Sequence, residues 1–234
     1  MTTSFSNLIP ISYTRKKYED IFDNSNDLAV KSLNSIYVVG TDIYGLGLLN
    51  AVHVLLAYVA NCADSKKCRF TILDPGRIDY NDLIGSPFLN GDIITQESDI
   101  LDILETASKI PFGFNNIIIL NHYDWLKGLF DDEYSYRITK AVDNLVNNAK
   151  KSNVILIVVD RSIKYDEKVP DFDAILCFQL SNEVLSKVVL GCPGAEKLKN
   201  HGDSLYLNRR TGEIKHGQIP LLSDELFSDI LRLR

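Results

Sequence analysis

Five short runs of β-branched and aliphatic residues, each bounded by turn residues, constrain this chain more than any other feature. They are "SIYVVG" ending at Gly40, "CRFTILDPG" ending in Asp74-Pro75-Gly76, "NNIIIL" leading to Asn121, "NVILIVVD" ending at Asp160, and "DAILCFQL" closing near Leu180. Each has the length and composition of a strand. Helix-length segments separate them, the pattern of a mostly parallel sheet covered on both faces. "GLGLLNAVHVLLAYVANC" is apolar on nearly every side and predicts a buried helix. Further on, Ile138, Ala141, Val142, Leu145, Val146 and Ala149 fall at helical spacing. Glu133, Arg137, Lys140, Asp143, Asn147 and Lys150 take the opposite face, so this helix covers the sheet from one side. Ile100 to Ala107 repeats the spacing more weakly.

After Leu180 the rhythm changes. "SNEVLSKVVLG" reads as a helix with Ser181 as N-cap and a stop at Gly191. "GDSLYLNRRTGEIKHGQIP" reads as two strands around a turn at Arg210 to Gly212, and Ser223 caps a final helix from Asp224 to Leu233. The first thirty residues hold a short strand candidate, "LIPIS", and a charged stretch. They read as a lead-in or linker, 1–30, ahead of one domain over 31–234.

A chain of 234 residues, 45% hydrophobic and 24% charged, can bury a full core and is not disordered. Its net charge of −6 argues against a nucleic-acid surface. No run approaches the roughly 18 apolar residues of a membrane helix, and "MTTSFSNLIP" lacks the pattern of a signal peptide. Cys62, Cys68, Cys177 and Cys192 have no zinc or redox spacing and read as reduced thiols. His53, His122, His201 and His216 share no i, i+4 pair, so no metal site is expected. These features predict a cytoplasmic domain, joined to a membrane only through a longer parent chain.

"VVGTDIYGLG" runs the first strand into a glycine-punctuated loop ahead of the apolar helix. A phosphate-binding loop reads G-x-x-x-x-G-K-[ST] in this setting. Gly40 and Gly45 fill the glycine positions, with Thr41, Asp42, Ile43 and Tyr44 between them. Leu46 and Gly47 stand where Lys and Ser/Thr belong. The loop Lys contacts the β- and γ-phosphates, through bonds worth about 1.5–3 kcal/mol each. Gly47 offers no hydroxyl to Mg²⁺, and Asp42 adds a charge of the wrong sign for an anion. The loop has the outline of a phosphate cradle without its chemistry.

"LSKVVLGCPGAEKLKNHGDSLYL" resembles the late segment of FtsK/SpoIIIE-type motor ATPases, S-x-x-I-L-D-x-x-G-A-E-x-L-x-x-x-G-D-M-L-Y. Ser186, Leu190, Gly194, Ala195, Glu196, Leu198, Gly202, Asp203, Leu205 and Tyr206 match in order and spacing. "HGQIPLLSDEL", from His216, is similar to the family's ending, and "ILDPG" stands where the family has I-D-P-K. The resemblance runs from about Ile36 to the C-terminus. It implies a RecA-like P-loop α/β fold, a three-layer sandwich with a mostly parallel central sheet.

The same alignment puts Asn121 and His122 where the Walker B Asp-Glu would stand. "VVDRS", Val158 to Ser162, lies at a polar sensor position where only Arg161 agrees. Gly40 to Gly47 and Asn121-His122 are therefore expected to be vestigial, with ATP and Mg²⁺ binding lost and no catalytic residue retained. The pattern looks most like the degenerate C-terminal ATPase domain of EssC/EccC proteins, the coupling motors of type VII secretion. That resemblance implies secreted substrate proteins and the adjacent ATPase module as partners, and no nucleic acid. Tyr44, Tyr123 and Trp125 are candidates to line an emptied pocket that accepts a partner, and Arg209 and Arg210 to reach a neighbouring module. The alternatives are an atypical NTPase or DNA translocase completed in trans, and a ring-stacking domain with no ligand.

Overall fold

A computed structural model of the chain describes residues 33–232, except 42–45, 63–64, 77–78, 108, 110–111, 129–131 and 150. The lead-in, 1–30, lies outside the described residues. Among the described residues, seven strands form one sheet: β1 (Ser35–Val39), β2 (Cys68–Leu73), β3 (Asn115–Leu120), β4 (Val154–Asp160), β5 (Ala174–Cys177), β6 (Asp203–Asn208) and β7 (Glu213–Gln218). Their spatial order is β2-β3-β4-β1-β5-β6-β7. The first five run parallel, and β6 and β7 extend the sheet as an antiparallel hairpin. This is the RecA-like P-loop α/β architecture, a mostly parallel sheet between two helical layers.

The β-branched runs form strands because alternate residues enter two separate cores. Ile36, Val38, Ile72, Ile117, Ile119, Ile157 and Val159 face α1 (Leu46–Cys62). Tyr37, Val39, Leu73, Ile118, Leu120, Leu156 and Val158 face the other layer. That layer contains α2 (Glu97–Ala107), α3 (Tyr123–Gly128), α4 (Asp132–Asn148) and α5 (Glu183–Leu190). A last helix, α6 (Asp224–Arg232), packs on α1, where the Phe227 ring stacks on His53 with centroids 4.2 Å apart. Ile138, Ala141, Val142 and Leu145 of α4 are buried, as their spacing predicts.

The structure differs from the sequence reading in three places. The N-cap of α5 is Asn182, not Ser181: the Asn182 side chain accepts a hydrogen bond from the Leu185 amide, which fixes the helix start one residue later. The fifth strand stops at Cys177; beyond it the Phe178 amide donates to the Val39 carbonyl at the end of β1, and the Gln179 carbonyl accepts from Thr41. Helix α3 begins immediately after β3, in a stretch too short for periodicity to mark. In addition, the segment around Phe88 to Ile94 runs beside β2. Its carbonyls and amides complete the outer hydrogen bonds of Phe70, Ile72 and Asp74.

The segment that carries the family resemblance forms a latch. Glu196 accepts hydrogen bonds from the Ser186 hydroxyl at 2.6 Å and the Gly194 amide at 2.8 Å, and both hold its carboxyl down to about 2. Gly202, at φ 80°, leaves no room for a side chain: a Cβ there would lie 2.6 Å from the Ile219 carbonyl oxygen. Gly191 shares the left-handed backbone, at φ 77°, but has open space around it. Gly191→Ala is therefore expected to cost about 1 kcal/mol, and Gly202→Ala about 2 kcal/mol more. Urea midpoints of the two variants check the difference.

Candidate functional site

In a parallel sheet covered on both faces, ligands bind where the strands end, at their carboxyl termini. At this edge stand Gly40 and Thr41 after β1, Asp74, Asp79 and Tyr80 after β2, Asn121 and His122 after β3, and Asp160 to Ser162 at the end of β4. Gly40 must be glycine for packing alone, since a Cβ there would sit 2.7 Å from Phe178 Cβ. Its amide donates to the Asp160 carbonyl, and the Thr41 amide and hydroxyl both donate to the Gln179 carbonyl. Leu46 and Gly47 begin α1. Asp42, Ile43, Tyr44 and Gly45 lie outside the described residues.

Asn121 and His122 belong to a polar network that their spacing does not reveal. The Asn121 amide nitrogen donates to Asp74 Oδ1 at 3.0 Å and to Asp79 Oδ2 at 2.9 Å. Arg161 donates to the same Asp79 oxygen at 2.6 Å, and His122 Nε2 lies 3.3 Å from it. The bond with His122, followed by Asn121 and the Arg161 charge, holds the Asp79 carboxyl at about 2. His122 adopts φ 52°, a left-handed backbone that few non-glycine residues take up and that histidine, asparagine and aspartate enter most readily. Gly76 makes room for its ring, because a Cβ at position 76 would lie 2.8 Å from His122 Nε2.

A second network adjoins the first at the end of β4. Asp160 accepts from the Tyr37 hydroxyl at 2.7 Å and from Lys127 Nζ at 3.0 Å, and Lys127 also pairs with Glu167. Burial pushes the Asp160 carboxyl up to about 6, while Lys127 pulls against that rise. Burial and the Asp160 charge push the Tyr37 phenol up. Asp124, on α3, accepts from the Arg161 backbone amide. Among the described residues, five carboxylates (Asp74, Asp79, Asp124, Asp160 and Glu167) thus stand with Arg161 and Lys127.

The remaining candidates disperse. Tyr123 is 1% exposed and packs in the core against α4, so it does not line an open pocket. Its polar-looking position after the strand is in fact the first turn of α3. Trp125, on the same helix, is 39% exposed. Arg209 pairs with Asp171 at 3.0 Å, and Arg210 with Asp173 at 2.8 Å. Asp173 also accepts from the Asn34 amide, just ahead of β1, so both arginines stand at the amino end of the sheet. That end is opposite the edge that carries Gly40. Asp79 and Lys127 carry no motif in the sequence, and Asp74 and Asp160 read there only as strand ends. The one available signal was that "DPG" and "VVD" both close strands at the same edge.

No family model matches the sequence, and no curated protein matches it. Solved structures with the same fold do exist. The pCW3 conjugation coupling protein TcpA, solved as a monomer with ATPγS, is 14% identical over 95% of this chain and 74% of its own, with a TM-score of 0.73. The cytoplasmic domain of the type VII secretion ATPase EccC from Thermomonospora curvata is 14% identical over 100% of this chain and 31% of its own, with a TM-score of 0.73. ATPases 2 and 3 of that EccC, in complex with a signal sequence peptide, give a TM-score of 0.62. ATPases 2 and 3 of EssC from Geobacillus thermodenitrificans are 12% identical over 98% of this chain and 48% of their own, with a TM-score of 0.71. The chain spans less than half the length of these EccC and EssC structures. These are P-loop ATPases of the FtsK/SpoIIIE type that the sequence resembles, and the likeness establishes the fold.

The Asp79 carboxyl releases its proton more readily folded than unfolded, where its value is near 3.8. Its contribution is present above about pH 4 and is lost as the pH falls through about 2. Asp79→Asn is expected to lower stability at neutral pH by about 1 kcal/mol after solvent screening, and to flatten the acid limb of the stability curve. Urea midpoints measured from pH 7 down to pH 2 check both.

Proposed function

We propose that this chain is a catalytically silent P-loop module of a type VII secretion coupling motor, of the FtsK/SpoIIIE type. In this reading it docks secreted substrate proteins and regulates the active ATPase module beside it, in the cytoplasm and tethered to the membrane through its parent chain. The observation that carries the reading is the acidic carboxyl edge. A triphosphate brings about four negative charges to a strand edge whose described residues include five carboxylates beside Arg161 and Lys127. Arg161 and Lys127 are committed to Asp79 and to the Asp160–Glu167 pair. Asn121 cannot organise a magnesium water shell as an aspartate does, and its amide is spent holding Asp74 and Asp79 together. His122 leans on Asp79 instead of polarising an attacking water.

Substrate docking draws on EccC, whose second and third ATPases were solved with a signal sequence peptide. The competing reading, an NTPase or DNA translocase completed in trans, draws on TcpA, solved with ATPγS. It requires a cation from a neighbouring subunit to overcome the acidic edge. Gly45 is the residue whose substitution would abolish turnover under that reading.

The test has two arms. A MgATP titration is expected to leave the melting temperature unchanged and to yield no phosphate release; a rise of several degrees, or turnover lost in Gly45→Val, overturns silence. Fluorescence anisotropy with a labelled terminal helix of a candidate secreted substrate is expected to report saturable binding. No binding across the secreted substrates of the same system overturns docking.

A further inference from the structure

We propose that the chain's own lead-in docks in a groove on the outer flank of β2, with Leu8-Ile9-Pro10-Ile11 on its apolar floor and Arg15-Lys16-Lys17 beside its carboxylates. The groove measures about 440 Å³, and its lining includes Ile84, Gly85, Leu89, Gly91, Asp92 and Ile93. Leu89 and Ile93 pack on the core beneath, while Ile84 is 63% exposed. Backbone bonds fasten Asn90 to Phe70 and Ile94 to Ile72, and the Asn90 side chain donates to Thr71 at 3.1 Å. Gly91, Asp92 and Ile93 lie between those two anchors, so one wall of the groove is held in place. The space above is open: a Cβ at Gly85 or Gly91 would meet nothing within 4 Å.

Charge indicates the occupant. Residues 78–108 carry seven acidic side chains and no lysine, arginine or histidine. Asp79 pairs with Arg161 and Glu105 with Arg137. Asp92, in the lining, and Asp82, two residues before Ile84, form no ion pair among the described residues. Apolar surface beside such carboxylates fits a segment that brings aliphatic side chains with cations next to them. The chain contains one. Arg15-Lys16-Lys17 is its only run of three consecutive basic residues, and three residues separate it from Leu8-Ile9-Pro10-Ile11. Ile11 and Leu33 stand 22 positions apart, a reach of up to about 70 Å at ~3.3 Å per residue. β1 and β2 are three strands apart, roughly 14 Å across the sheet, so the segment reaches the groove. Attachment raises its effective concentration, and a small groove suffices to hold it. The acidic flank of a second copy, nucleic acid and anionic lipid are all repelled by the same charges.

The docking is independent of the proposed loss of ATP hydrolysis. Under the motor reading, on which this consequence alone rests, it holds the adjacent module at the β2 flank. The first test treats the full chain with a carbodiimide, which joins a lysine amine to a neighbouring carboxylate, and maps the products by mass spectrometry. The monomer is expected to link Lys16 or Lys17 to Asp82 or Asp92, and to lose the link at about 1 M salt. The second follows a labelled peptide of residues 5–20 by fluorescence anisotropy. The full chain carrying Arg15→Glu, Lys16→Glu and Lys17→Glu, with its groove freed, is expected to bind the peptide at least about tenfold more tightly than the unaltered chain. Adding Ile84→Ser should weaken that binding about tenfold, and adding Asp92→Lys severalfold. Both side chains are exposed, and circular dichroism checks that the variants fold. Links confined to other carboxylates, links only between isotopically mixed copies, equal or absent peptide binding by the two chains, or binding indifferent to Ile84→Ser and Asp92→Lys overturns the docking.

Discussion

Five parallel strands buried on both faces leave polar groups one place to gather, the strand ends. Between Ile36 and Val159 the strands offer mostly apolar side chains to either layer, with the Thr71–Asn116 pair, at 2.9 Å, and the Tyr37 hydroxyl as internal polar exceptions. Charges excluded from both layers collect at the carboxyl edge, where successive turns release Asp74, Asn121 and Asp160. Once there they must satisfy each other, because burial makes every unpaired group costly. The Asn121 amide does this for two like charges at once. Lys127 does it for Asp160 and Glu167, with its ammonium also 4.2 Å from the centre of the Tyr123 ring.

The residues that make the sequence resemble a motor ATPase do different work from those at this edge. Ser186, Gly194 and Glu196 bind α5 to the turn that follows it, and Gly202 lets the β6–β7 hairpin close against Ile219. These are requirements of the fold. A chain can keep them while the strand-end chemistry changes, since the latch and the edge share no side chain. That separation lets a long run of matching residues coexist with Asn121 and His122 at the end of β3.

The layered architecture was legible because β-branched runs and helical spacing are local signals. The five parallel strands, α1, α4 and the β6–β7 hairpin all follow from them. Helix α3 was not legible, because six residues hold less than two turns and show no period. Ser181 and Asn182 are both good caps, and only the backbone decides between them. The edge networks were the least readable feature. Asp74 and Asn121 are 47 residues apart and meet only because β2 and β3 pair in register, Leu73 against Leu120. Gly40 illustrates an ambiguity of another kind: a glycine that a phosphate loop would require is demanded here by Phe178 in any case.

The strip of chain from Phe88 to Ile94 has a consequence for how such a module sits among neighbours. By occupying the outer amides and carbonyls of β2, it seals that flank of the sheet against strand exchange. The opposite flank ends in β7, where Glu213, Lys215 and His216 are exposed. Among the described residues this leaves β7 as the edge open to backbone pairing, and a partner that extends the sheet there pairs with a charged strand.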